Sequence, residues 1–149
     1  HGLTIQPDGP LDAVDPDLLL VPGGGWNDRS TAGAWTVAAE GTIPDRIREL
    51  HEGGVSLAGV CTGGMILARA GVLDGRPAVT HAGALDDLRE TAAEVVDARV
   101  VDDGDVLTAG GVTSGLDLAV HLVDREFGNE VAETVTTEME YEPRGTVRQ

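Results

Sequence analysis

Polar and apolar positions alternate in blocks along the chain, and the blocks change period. LLLV (18–21) is a short apolar run entering Pro22-Gly23-Gly24-Gly25, as expected of a buried strand ending in a tight turn. Residues 26–41 show no firm periodicity. Ile43, Ile47 and Leu50 then recur at helical spacing, Pro44 suits a first turn, and Gly53-Gly54 closes the segment. VSLAGV (55–60) reads as a second buried strand, and GMILARA (64–70) as a helix apolar nearly all round. A short strand is expected over 76–83, leading to His81, followed by a helical turn or two in ALDDLRE. EVVDARVV (94–101) reads as one strand, and Asp103-Gly104 as the turn of a hairpin into DVLTA. Helices are expected over 114–128 and from about 129 to 139, with a loop tail. Strands alternating with helices predict an open, mostly parallel α/β sheet with helices on both faces and a hairpin appended.

Composition narrows the class. At 149 residues the chain is most simply one domain, and its single cysteine excludes an internal disulfide, consistent with a reducing cytoplasm. No apolar run approaches membrane-spanning length. The charge is more telling: 26 acidic residues face 10 basic ones, all arginine, for a net −16. The acids are spread through a chain otherwise rich in Val, Leu and Ala, so this is no disordered acidic tail. Such a lysine-free, evenly acidic surface resembles that of proteins from salt-loving microbes, and it disfavours nucleic-acid binding.

The candidate chemistry sits where the second strand meets its helix. Gly59-Val60-Cys61-Thr62-Gly63 has the form of a nucleophile elbow with sulfur in place of oxygen. Glycines permit the sharp turn, and the free N–H groups of a helix start favour a thiolate. A lone cysteine in an apolar stretch is also commonly a small buried hydrophobe. The glycine-rich ends of both strands fall on one sheet edge, where Gly24 and Thr62 amides could converge on one oxyanion. PGGG lacks the Lys and Ser/Thr of a phosphate-binding P-loop. His81 is a candidate base for Cys61 or a structural histidine. His51 ends a helix, His121 is expected to pack within one, and His1 is terminal; no metal-ligand spacing appears.

LLLVPGGG, GVCTGGMILARAGVLDGRPAVTHAG, VVDDGDVLTAGGVTSGLDLAVHLV and MEYEP, in that order, resemble the DJ-1/PfpI superfamily over essentially the whole chain. The similarity is greatest to its isonitrile-hydratase-like branch, which also forms the front domain of AraC-type regulators. The resemblance implies a flavodoxin-like fold, Cys61 as nucleophile, Gly24 and Thr62 as oxyanion donors, and His81 as the histidine following the elbow. It places Gly25, Gly63 and Val112 around the substrate pocket, and implies a small-molecule substrate, a cytoplasmic homodimer and no cofactor. Thr62 stands where the protease branch has His, so peptidase activity is not expected. Family members open with a strand, a helix and a strand bearing an acid that contacts the cysteine. GLTIQPDG reads as starting after them, so residues 1–149 are expected to be one family domain lacking its first strands. The implied activities are hydration of a small C–N electrophile, metabolite or redox sensing, or glyoxalase-like chemistry on aldehydes.

Overall fold

The computed structural model describes residues 4–149; His1 lies outside the described residues. The apolar run of Leu18–Val21 forms β1, and Ala34–Glu40 and Thr42–Glu52 form helices α1 and α2. Strand β2 (Ser56–Val60) runs into helix α3 (Gly63–Arg69). Beyond it come β3 (Pro77–Ala78), α4 (Leu85–Arg89) and β4 (Glu94–Val95). The hairpin β5 (Val100–Asp103) and β6 (Val106–Ala109) precedes α5 (Ser114–Phe127), α6 (Asn129–Glu138) and β7 (Val147–Arg148).

Five strands make one sheet in the order β1-β2-β6-β5-β7, while β3 and β4 pair as a separate parallel ribbon. β1, β2 and β6 are parallel, with Leu19 opposite Leu57 and Leu57 opposite Val106. β5 returns antiparallel to β6, and Gly104 turns the hairpin at φ +81°. The expected open α/β sheet with its hairpin is therefore the observed fold.

Alternation along the strands sends neighbouring residues to opposite faces. Leu57 and Val106 pack with Ile47, Met65, Leu67 and Leu73 beneath α2 and α3. Ala58, Val100 and Leu107 pack on the other face against Leu118 and Leu122 of α5. Residues 63–68 of α3 are all buried, as its sequence implied.

Four elements depart from the sequence reading. Residues 34–40 form α1 between Gly33 and Gly41, although two turns are too short to show a period. The stretch 94–101 is split into β4 and β5 by an irregular 96–99, because Glu94 and Val95 pair with β3 in the separate ribbon whereas Val100 onward pairs with β6 in the main sheet. Only residues 77–78 of the segment leading to His81 are strand. The tail is not all loop: β7 pairs with β5, Val147 opposite Val100. Asp117, 6% exposed, anchors that tail by accepting from Arg144 N–H, Tyr141 Oη and the Arg99 guanidinium.

His121 does more than pack. Its Nε2 lies 2.7 Å from Asp102 Oδ2, and Arg125 reaches the same carboxylate. His51, in the last turn of α2, ties the helix end to the chain beyond it, Nδ1 being 3.1 Å from Val55 O and Nε2 3.5 Å from Asp105. Among the described residues no helix is long and apolar enough to cross a membrane, and no group of three metal-ligating side chains occurs.

Candidate functional site

Cys61 occupies the joint between β2 and α3 with φ +57°, a left-handed conformation that L residues other than Asn and Asp seldom adopt. The surroundings hold it there. Its N–H is shared between the O of Ala109, the last residue of β6, at 3.0 Å and Gly110 O, just beyond it, at 3.1 Å. Its carbonyl accepts from Thr80 Oγ1 at 2.8 Å. Three acceptor and donor groups thus fix the peptide units on both sides of Cys61, and the residue remains partly exposed.

The glycines around it have a steric reason. A Cβ on Gly63 would collide with Val21 O, and one on Gly23 with the Thr62 backbone nitrogen. One on Gly59 would stand 2.8 Å from Leu67 Cδ1, and one on Gly64 3.1 Å from Val79 O. The end of β1 is consequently pressed directly onto the elbow. Gly24 and Gly25 take positive φ, +128° and +66°, as the loop turns away.

The two expected oxyanion donors are not equivalent. Gly24 N–H donates to Thr62 Oγ1 at 2.8 Å, so here that amide is engaged by a side chain. A β-hydroxyl next to the sulfur competes successfully for it. The N–H of Thr62, itself 3% exposed, has no hydrogen-bond partner among the described residues.

His81 lies at the start of a short 3-10 turn, where Nδ1 accepts Gly83 N–H at 3.0 Å. That bond assigns the proton of the neutral ring to Nε2. The ring is pressed against Gly111, whose absent Cβ would stand 2.6 Å from His81 Cδ2. Since Gly110 binds Cys61 N–H, the structure gathers His81 and Cys61 around the Gly110-Gly111 turn. Val112 follows at φ +40°, and its side chain is 77% exposed.

Sequence reasoning missed Asn27, Thr80 and Thr108. Asn27 Nδ2 lies 3.5 Å from His81 Nδ1, and Thr108 Oγ1 accepts Val79 N–H at 3.0 Å. Thr80, adjacent to His81 in THAG, was findable: a polar residue closing an apolar run needs a partner once buried.

Fold and site define an open α/β protein with a cysteine at a strained strand-to-helix elbow. Residues 1–125 match the DJ-1/PfpI family, and the chain belongs to it. It is 34% identical over 143 residues to an isonitrile hydratase of Pseudomonas putida, covering 95% of this chain and 60% of that protein. It is 32% identical over 139 residues to the HTH-type transcriptional regulator CdhR of Pseudomonas aeruginosa, covering 91% of this chain and 39% of the regulator. A crystal structure of a ThiJ/PfpI family protein from Pseudomonas syringae superposes with TM-score 0.77 at 31% identity, over 87% of this chain and 51% of that one. The chain thus spans between 39% and 60% of the length of these relatives.

Proposed function

We propose that this chain carries the cysteine nucleophile of an enzyme hydrating a small C–N electrophile, as an isonitrile hydratase does. The observation that carries the reading is Cys61 at φ +57° beside an unpartnered Thr62 amide. Similarity to an isonitrile hydratase over 95% of the chain supports it. In this scheme the Cys61 thiolate forms a bond to the terminal isonitrile carbon, and a proton from an acid adds to the same carbon. The product is a thioimidate, R–N=CH–S–Cys61. Water then adds across the C=N bond, the C–S bond breaks, and the thiolate leaves with release of the formamide R–NH–CHO. In this scheme the Thr62 N–H steadies negative charge developing on the added oxygen, and His81 Nε2 exchanges a proton with water. The same reading includes a homodimer in the cytoplasm; light scattering on the purified protein reads the dimer, and cell fractionation the location.

The test is Cys61→Ser in the chain as the cell makes it, with formamide release from cyclohexyl isocyanide as the readout. Turnover should vanish while the fold persists, because a serine hydroxyl keeps its proton at neutral pH. Undiminished turnover by the variant would refute the scheme. A second reading, a metabolite-sensing domain, is supported by the 32% identity to a transcriptional regulator over 91% of the chain. Saturable binding of a metabolite without turnover in the unmodified protein would favour it.

A further inference from the structure

A cleft lies between α1, α3 and α4, separate from the cysteine: neither Cys61 nor His81 lines it. Its volume is about 620 Å³. Sites for small molecules commonly fall within roughly 300–1,000 Å³. The chain holds only two tryptophans, and both are here. Trp26 is 8% exposed and donates its indole N–H to Asp87 Oδ2 at 2.5 Å. Trp35 meets it edge-to-face, with ring centroids 5.1 Å apart. Met65 of α3 adds a buried apolar surface.

The polar groups on the walls carry opposite charge. The Arg29 guanidinium stands 4.3 Å over the Trp35 ring. Arg29 holds this place from a left-handed backbone, φ +50°, closed by its N–H to Trp26 O at 3.0 Å. A long side chain is kept in an unfavourable conformation that brings its cation to the cleft, a feature that points towards function. Asp87 and Glu90 line the α4 side. Among the described residues neither Arg29 nor Glu90 has an ion-pair partner.

We propose that this cleft binds a small zwitterion with an apolar or aromatic body. Its carboxylate meets Arg29, its ammonium meets Glu90 and Asp87, and its body lies against the indoles and Met65. Arg69, whose Nε donates to Ala38 O, adds a second cation to the lining. A purely anionic ligand would leave Asp87 and Glu90 without a cation, and a purely cationic one would face Arg29 and Arg69, so a ligand with both charges answers both walls. The proposal is independent of any chemistry at Cys61.

Both indoles line the cleft, so their fluorescence reports occupancy. L-phenylalanine, L-leucine and L-methionine are titrated into the full chain. At least one should give a saturable change, and N-acetyl-phenylalanine and phenylalanine amide should each bind at least about tenfold more weakly than phenylalanine, a loss of about 1.4 kcal/mol. Arg29→Ala should weaken phenylalanine by a similar factor while leaving the amide, which has no carboxylate, unchanged. Glu90→Gln should weaken phenylalanine while leaving the N-acetyl compound unchanged. Circular dichroism checks that each variant folds. No saturable change with any of the three amino acids would overturn the proposal. So would equal affinity for the blocked compounds, or a fluorescence change that follows protein concentration alone, which would mean a second copy fills the cleft.

Discussion

Thr62→Val tests the link between the glycine loop and the elbow. Valine keeps the shape of threonine but removes the oxygen that accepts Gly24 N–H at 2.8 Å. The net value of such a bond is about 1 kcal/mol, and the penalty for an orphaned buried donor reaches roughly 3 kcal/mol. Gly24 is exposed, so water replaces the lost acceptor and the larger penalty does not apply. The expected destabilisation is therefore about 1 kcal/mol, equivalent to roughly a fivefold change in an opening equilibrium. Two assays read it. Urea unfolding should shift its midpoint without a change of slope. Amide hydrogen exchange at Gly24 should accelerate several-fold, while the Cys61 amide, bound to Ala109 O and Gly110 O, keeps its protection. If Gly24 exchanges no faster and the midpoint does not move, the Thr62 hydroxyl does not hold the loop.

Other perturbations follow from named contacts. Asp117→Ala leaves Arg99, Tyr141 and Arg144 N–H without their shared acceptor, and should cost about 3 kcal/mol in urea unfolding. Leu57→Ala, at a fully buried site between β1 and β6, should cost about 3 kcal/mol by the same assay. Acid should unfold the protein through three carboxylates. Burial pushes Asp117 and Asp102 up, but Arg144 N–H, Arg99 and Tyr141 outweigh it at the first, and His121, Gly104 N–H and Arg125 at the second. The Arg76 hydrogen bond and charge lower Asp105. All three therefore titrate below the ordinary carboxylate value. Their contribution is complete above about pH 4 and is lost as the pH falls through their depressed folded values, which stability measured against pH will show. Finally, the net charge of −16 should make the thermal midpoint higher in molar potassium chloride than in low salt, and equal midpoints would refute self-repulsion as the cause.

What could be read from the chain depended on how local the cause was. β1, β2 and the elbow are local: an apolar run, then glycines, and each property acts within a few residues. β7 is not, because Val147 becomes strand only by lying beside Val100. α1 is set by its flanking glycines and by packing on α3, and AWTVAAE carries too few turns to show it. His121 looked like a packing residue because its partner, Asp102, lies in the hairpin, and nothing in the helix sequence points to it. In the candidate site, Cys61 stood out through its flanking glycines, whereas the engagement of Gly24 by Thr62 required two loops 38 residues apart to meet.

Those glycines also explain how the elbow persists. A cysteine in the left-handed region costs on the order of 1–3 kcal/mol, and such a conformation survives only where its surroundings over-determine it. Here Gly23 and Gly63 let the end of β1 meet the elbow backbone to backbone, with no room for a single methyl group. Ala109 O, Gly110 O and Thr80 Oγ1 then hold the peptide units on either side of Cys61. Releasing the strain by rotating Cys61 to negative φ would break those bonds and drive α3 off β1. The fold thus holds the sulfur at the sheet edge by close packing of bare backbone, and side chains enter only to finish it. For that reason a methyl group at Gly63, several bonds from the sulfur, should disturb the position of Cys61 more than most changes to exposed side chains nearby.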